Sequence, residues 1–571
     1  MFTVAEIKDY KNYLVNDYHG TRKGNQERWQ SFYDEDGAFD ALVRDIIKPP
    51  MYISHTGLAS RLIDGPSSAI VTTNPQCLIL PKKLTDKGLE SAKRVNSYRN
   101  HRLNLIGRQS PQLFREAVMN LLLYGGSWVQ LIPNKNYEPS LDDSIVPVQY
   151  DCPNPLTVFG SPEEDYGVPQ RVIVQYKVLP AAIAARYPKW KPSDTQGKYI
   201  DWWEYYDAGQ RYFEGGGSPV FDDELQQNAS GLVPFVHAYS GFGKRSADNK
   251  PETLEVGRLA KVADLIIRHC GIVSAIDSTI QLYSRPVRDL LVPKRGDGVE
   301  FNPKELEQYS MKAGSINLIH MPDGSKFQDP AIEPKESMFA WAAMIEAQIL
   351  TEAPPIMAGL PTGTSGRQED ILSAHAIRRF DSVVDAVETS FATALDMEAR
   401  ILKTIPGMLP VSTWVTTEEG EKEYQVTADD LDACMPTKVI LKAADPIDDD
   451  RKIQSGILMY EKQIISHKTF LIDHRGMTPD DADQEIYSIM AESVMKSETI
   501  MNIIGKKTVE RAGAEEELAQ LQEVVRAETK KGVGSRGGPP RNLNIQSEAG
   551  MGQPDVNMAQ RGIRAPAEMM P

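Results

Sequence analysis

The residues of this chain that come nearest to chemistry by type and spacing are Asp448, Asp449 and Asp450. Carboxylates are hard oxygen ligands, so three in a row could hold a divalent cation and serve a metal-dependent hydrolase. Standing after Pro446 and ahead of a helical pattern, they read more simply as an acidic helix start that complements the macrodipole. Tyr33-Asp-Glu-Asp-Gly37 opens like a calcium loop, but the ligand spacing and the closing Glu are missing. Gly359-Leu-Pro-Thr-Gly-Thr-Ser-Gly366 has the look of a phosphate-cradling loop, yet it lacks the lysine and follows no strand. His269 has no second ligand at helical spacing and reads as a partnered packing histidine. Cys77, Cys152, Cys270 and Cys434 are scattered without CxxC spacing, which predicts free thiols in a reducing compartment. The chain has no G-x-x-x-x-G-K-[ST], H-E-x-x-H or G-x-S-x-G, and no G-x-G-x-x-G between a strand and a helix. Together these readings predict a protein that is not an enzyme and has no cofactor and no metal site.

The order of elements is more informative than any motif. Residues 353–366 hold three prolines and three glycines, so they cannot be helix, and Ile356, Met357 and Leu360 make them too apolar for a plain linker. After them, Ile377, Phe380, Val384, Val387, Phe391 and Ala394 recur at steps of three and four. From Gln368 to Thr404 there is no Pro or Gly, which predicts a helix on the order of 50 Å at 1.5 Å per residue. Upstream, Leu259, Val262, Ile266, His269, Val273, Ile276, Ile280 and Tyr283 keep a strict three-four alternation, a narrow seam of coiled-coil type over Leu254 to Tyr283. Ser284-Arg-Pro286 ends it, residues 285–332 read as short strands and turns, and Glu333 to Thr351 reads as helix again. The series is therefore long helix, small β insert, helix, apolar loop, very long helix.

The first 253 residues read as an α+β domain with a mostly antiparallel sheet. Residues 4–48 are helical in pattern, and Pro111 to Tyr124 forms an amphipathic helix stopped by Gly125-Gly126. Strands are predicted at Ser127–Ile132, Ile145–Tyr150, Arg171–Lys177, Tyr199–Asp207 and Arg211–Glu214. Residues 405–449 add β-like pieces at Val411–Thr417 and Thr437–Lys442. Residues 450–529 are all-helical in pattern, with Ser466 and Thr469 as candidate N-caps and Pro479 at a first helical position. From 530 to 571 the composition shifts to Gly, Pro, Arg, Gln and Met without periodicity, which predicts disorder.

At 571 residues, 41% apolar and 25% charged, the composition is that of a globular protein of several domains. The opening residues lack the basic lead and apolar run of a signal peptide, and no window approaches 18 apolar residues, so no membrane partner is expected. The net charge of −16 argues against gripping nucleic acid through a broad basic surface. Residues 405–529, with 25 acids and 13 bases, carry −12 of it.

This order of elements resembles the portal (connector) proteins of tailed double-stranded DNA bacteriophages, over about residues 5–528. Local wording is similar as well: Asn120-Leu-Leu-Leu-Tyr-Gly-Gly-Ser-Trp128, Asp151-Cys-Pro-Asn-Pro-Leu-Thr-Val-Phe159, and Ile464-Ile-Ser-His-Lys-Thr-Phe470 followed by Asp480-Asp-Ala-Asp-Gln-Glu485. The resemblance implies an α+β, portal-like subunit of a ring of about twelve, located at one capsid vertex of the virion after assembly in the host cytoplasm. Its domains would be a wing (1–253, with 367–404 and 405–449), stem helices (254–284 and 333–352), a clip (285–332), a tunnel loop (353–366) and a crown (450–529). Pro354, Pro355, Ile356, Met357, Leu360, Thr362, Thr364, Ser365 and Arg367 would face double-stranded DNA as a mechanical gate. Arg285, Arg288, Lys294 and Arg295 would meet the large terminase or the head-tail adaptor or tail protein. Leu259, Val262, Ile266, Val273, Ile276 and Ile280 would form the inter-subunit seam. Major capsid and scaffold proteins are the remaining implied partners. A coiled-coil scaffold or adaptor of a large assembly is the alternative.

Overall fold

The computed structural model describes residues 2–47, 52–71, 75–134, 137, 146–165, 167–190, 198–221, 224–284, 288–293, 315–321, 335–352, 378–417, 420–441, 446–462, 464–475, 482 and 485–489. Two compact units divide the chain, Met1–Asp483 and Gln484–Pro571; in the second, residues 485–489 are helical.

The first unit begins with helices α1 (Val4–Asn12), α2 (Gly20–Asp34), α3 (Gly37–Arg44) and α4 (Leu58–Ile70). A capping box of Thr3 and Glu6 starts α1, and Asp36 caps α3 by accepting from Ala38 N–H (2.9 Å) and Phe39 N–H (3.2 Å). Glu35 accepts from Gly57 N–H at 2.8 Å, so two carboxylates of the calcium-like stretch are spent on backbone. Strand β1 (Gln76–Leu78), α5 (Asp86–Gly107) and α6 (Leu113–Tyr124) follow. Gly125 ends α6 as the sequence predicts. Its φ of 80° suits glycine, and a Cβ there would lie 2.2 Å from Val256 N, so a second segment also crosses at this point.

Next come β2 (Gly126–Pro133), β3 (Val148–Asp151), β4 (Val158–Gly160), β5 (Arg171–Val178), α7 (Pro180–Arg186), β6 (Ile200–Asp207), β7 (Gln210–Gly215), β8 (Leu225–Gln227) and β9 (Phe235–Tyr239). Strand β3 begins at Val148, three residues later than its predicted start. The order β7–β6–β5–β4 is antiparallel throughout, with β8 and the short Ser218–Pro219 strand also on β7; β9–β2–β3 form a second antiparallel sheet. Alternation along β6 sends Trp203 and Tyr205 into a cluster with Ile7 and Leu14, and Trp202 into one with Ile183, Trp190 and Phe213. Both faces are covered, which is why the strand is aromatic on both.

Helices α8 (Pro251–Leu254) and α9 (Ala263–Ser284) flank a 3-10 turn, Arg258–Lys261. Strands β10 (Arg288–Pro293) and β11 (Ile316–Met321) pair in parallel, and α10 (Glu336–Leu350) returns. A 3-10 turn, Arg378–Phe380, leads into α11 (Asp381–Thr404). Then come β12 (Val411–Thr417) and β13 (Gly420–Val426), an antiparallel pair, α12 (Ala428–Asp432), β14 (Lys438–Ile440), which pairs with β1, and α13 (Pro446–Glu461). Asp448, Asp449 and Asp450 fall in the first turns of α13, as an acidic helix start requires. Ser466 caps the next turn, accepting from Thr469 N–H at 3.1 Å; Thr469 makes no cap, because a π-helical turn over Phe470–His474 follows it directly.

Helix α11 is the buried spine of this unit. Phe391 meets Phe114 at 4.6 Å between ring centres, and Val383, Val387, Ala394, Leu395 and Ile401 complete its apolar face. Glu398, equally buried, accepts from Arg102 Nε (3.0 Å), Tyr98 Oη (3.0 Å) and Tyr150 Oη (2.6 Å), tying the spine to α5 and β3.

All four thiols are free and buried, and burial pushes Cys77 and Cys152 up to about 12, Cys270 to about 11 and Cys434 upward. Since the thiolate is the reactive species, native protein should react with a thiol reagent many times more slowly than unfolded protein. Four rapid reactions per chain are expected only after denaturation, read by absorbance of the released chromophore.

Candidate functional site

The helix pair α9–α10 and its footing concentrate the unusual features. Along α9, Ser274 Oγ donates to Cys270 O, Ser278 Oγ to Ser274 O and Thr279 Oγ1 to Ala275 O, each at 2.7 Å. A strap from the segment before α4 runs beside it: Ser54 N–H donates to Ser274 Oγ (2.9 Å) and Ser54 Oγ to Asp277 Oδ2 (3.0 Å). Helix α10 packs antiparallel on α9, since Arg258 meets Glu352 at one end and Glu346 acts on His269 further along.

Only one stripe of α10 is covered: Ala342, Ile345 and Ile349, at steps of three and four. Phe339, Trp341 and Met344 are 46%, 52% and 44% exposed, and Ile280 and Tyr283 at the far end of α9 are also exposed. The sequence of α10 is apolar nearly all round, with Glu336 and Glu346 as its charges; such a helix belongs in an interior.

Below the pair, Arg258 gathers three elements. Its Nη2 donates to Glu352 O (2.5 Å) and lies 2.9 Å from Glu352 Oε2, while the guanidinium stands 5.1 Å from both the Phe242 and Phe380 rings. Arg379 Nη1 donates to Thr351 O at 2.6 Å, so the residues on either side of 353–377 are tied together. Burial draws Arg258 below its ordinary value, with Glu352 opposing.

Under that footing lies a buried ionic group. Glu255 Oε2 accepts from Arg22 Nη1 (3.0 Å) and Gln26 Nε2 (2.8 Å), and His237 Nε2 is 3.6 Å from Glu255 Oε1. His237 stacks on Trp128 at 4.0 Å, nearly parallel. His19 Nε2 contacts Gly160 O at 2.8 Å, and burial holds His19 well below the usual histidine range, with Arg22 adding to the effect. The folded state thus keeps His19 neutral while the unfolded chain takes up a proton below about pH 6.5. Stability is complete above that pH and falls as pH drops below it. Urea titrations at about pH 7 and about pH 5, on either side of that unfolded value, should show a shallower decline in His19→Gln than in the parent.

The structure revises the predicted stem. The first helix is broken between Leu254 and Ala263, because Glu255 turns inward to Arg22 and Gly257 passes so close to α6 that a Cβ would lie 2.0 Å from Leu123 O. Of the predicted seam, Leu259, Val262, Ile266 and Ile276 are buried within the chain itself; Val273 is half-buried and Ile280 exposed. The four buried positions serve the chain's own core, and the apolar side chains left exposed on this helix pair are instead Ile280 and Tyr283 with Phe339, Trp341 and Met344. His269 is a buried packing residue, but its Nδ1 has no hydrogen-bond partner among the described residues.

The described part of the long helix starts at Asp381, after a 3-10 turn in place of the predicted continuous helix there. Residues 354–357, 360, 362, 364, 365 and 367, together with Arg285, Lys294 and Arg295, lie outside the described residues, as do Pro479 and 530–571. Arg288 is the first residue of β10. Sequence reasoning missed Arg258, Glu352, Arg379 and Trp341 as a set. The apolar make-up of α10 was the available signal; the Arg258–Glu352 pairing had none, since 94 residues separate the partners. Among the described residues no group of three or more His, Cys, Asp or Glu side chains could hold a metal ion, and no helix is long and apolar enough to cross a membrane.

No protein-family model and no curated protein matches the chain. Among solved structures, a chain in the neck of a native GTA particle, computed with C12 symmetry, is similar to it at 12% identity and a TM-score of 0.35, over 73% of this chain and 89% of that one. A TM-score of 0.35 is too low to argue a shared fold.

Proposed function

We propose that this chain is a structural, non-enzymatic subunit of a portal-type ring at one capsid vertex of a tailed double-stranded DNA phage. About twelve copies would surround a channel for DNA packaging and ejection. The wing is the α+β unit around α11, the stem is α9 and α10, and the clip is the insert carrying β10 and β11. In this reading the clip meets the large terminase and later an adaptor, and residues 353–366 face DNA.

One observation carries it. Helix α10 exposes Phe339, Trp341 and Met344 beside Ile280 and Tyr283 of α9, which is too much apolar side chain for a stalk standing alone in water. A head-to-tail ring covers such a surface with a different, complementary face of the next copy and leaves no edge once closed. The tied residues Thr351 and Arg379 support the reading, because they place both flanks of the 353–377 segment at the foot of the stalk.

Native mass measurement tests it. A species of about twelve chains is expected; one to four chains would favour a coiled-coil platform and overturn the ring. Trp341→Glu places a charge in the proposed contact and should convert rings to single chains with an unchanged far-UV spectrum, since Trp341 is half exposed in the protomer.

A further inference from the structure

Beside the Arg22–Glu255 pair lies a mostly polar cavity of about 100 Å³, lined on its inner side by His19, Trp128, His237 and Glu255 and opening to solvent past Arg245 and Asn249. Three buried polar atoms on its walls have no hydrogen-bond partner among the described residues: Trp128 Nε1, His19 Nδ1 and Glu255 Oε1. Trp128 is fully buried, and His19 and Glu255 are each at most 3% exposed. Leaving such atoms unmade costs about 1–3 kcal/mol apiece, so three at one cavity call for an occupant.

Their chemistry selects it. His19 donates through Nε2 to the Gly160 carbonyl, which makes Nδ1 of the neutral ring an acceptor. Glu255 Oε1 is an acceptor as well, and Trp128 Nε1 can only donate. Two acceptors, one of them a carboxylate oxygen, repel an anion at these inner atoms, and the cation of the lining, Arg245, is an exposed residue at the solvent side. A metal ion is disfavoured because no group of three or more ligating side chains occurs among the described residues and the lining residue Trp128 offers an unpartnered N–H, which can only donate. The volume is too small for an organic cofactor, and at about 30 Å³ per molecule in the liquid it suits about three waters.

We propose that this cavity is a built hydration site, in which a small cluster of ordered waters donates to His19 Nδ1 and Glu255 Oε1 and accepts from Trp128 Nε1. The cluster completes the polar junction of α2, β2, β4 and β9. It is part of the wing whether or not the ring is formed, and so is independent of the portal reading.

A crystal structure of the full chain at a resolution that shows ordered solvent should reveal two or more peaks within hydrogen-bond distance of these three atoms. In Trp128→Phe, which keeps the stack on His237, the water nearest the former ring nitrogen should be lost and the others kept. Should that variant not fold, the parent crystal decides alone under two further conditions. Under xenon pressure a wet site should stay free of xenon, and a xenon peak would overturn the proposal, as a dry cavity takes up that gas. In crystals soaked in bromide, an anomalous peak at the three atoms would overturn it in favour of an anion site.

Discussion

Glu398→Ala is expected to unfold the first unit or bring it to the edge of unfolding. The carboxylate is 1% exposed and receives Arg102 Nε, Tyr98 Oη and Tyr150 Oη. Removing it leaves a guanidinium only 3% exposed without its counter-charge. Breaking one side of a buried pair costs about 3–5 kcal/mol, and each stranded hydroxyl adds about 1–3 kcal/mol. A domain has about 5–15 kcal/mol in total, so the variant should be recovered mainly as aggregate. The compensating double variant, Glu398→Leu with Arg102→Met, separates charge from shape. Removing both charges together relieves the unpaired guanidinium but still strands the two tyrosine hydroxyls, so the melting temperature should lie above that of the single variant and below that of the parent. If Glu398→Ala melts within a few degrees of the parent, the hub contributes little and the apolar face of α11 suffices.

Arg258→Met should act on the footing of the helix pair. The methionine keeps part of the stem between Phe242 and Phe380 but loses both contacts to Glu352. Glu352 stays 29% exposed on its side chain, so water solvates it in part, and the loss belongs at the low end of the buried-pair range, about 3 kcal/mol or less. The local consequence is larger than the global one. With Glu352 released, the neighbouring Arg379–Thr351 contact loses its support, and tryptic cleavage after Arg378 or Arg379 should speed up by about tenfold, the equivalent of 1.4 kcal/mol in a local opening equilibrium. Mass spectrometry of timed digests reads it. Cleavage at the parent rate would show that α10 and α11 are held without Arg258. Arg258→Lys keeps the charge but not the fork and should lie between the two.

Much of the first unit could be read from local pattern. The stop of α6 at Gly125 needs only a helix stripe followed by glycines, and Arg171–Val178, Ile200–Asp207 and Gln210–Gly215 announce themselves by β-branched and aromatic runs between turns. The aromatic richness of β6 makes sense only with both covering clusters in view, since period two alone assigns each residue a face and not an environment. The continuous helix predicted from Leu254 to Tyr283 is broken at its start for the opposite reason. Its alternation from Leu259 to Tyr283 is continuous, but periodicity does not register a glycine pressed against Leu123 or a glutamate drawn to an arginine 233 residues away.

What the sequence by itself determined is where many of the described helices and strands run and which of their faces are apolar, because helix and strand periods and glycine or proline stops act within a few residues. Tertiary structure decided which apolar face is spent inside the chain's own core and which is left over. Leu259, Ile266 and Ile276 went inward, while Trp341 and Met344 stayed out. It also decided where charge could be buried, at Glu255 and Glu398, since a buried carboxylate is tolerated only where distant chain segments deliver its donors to the same point.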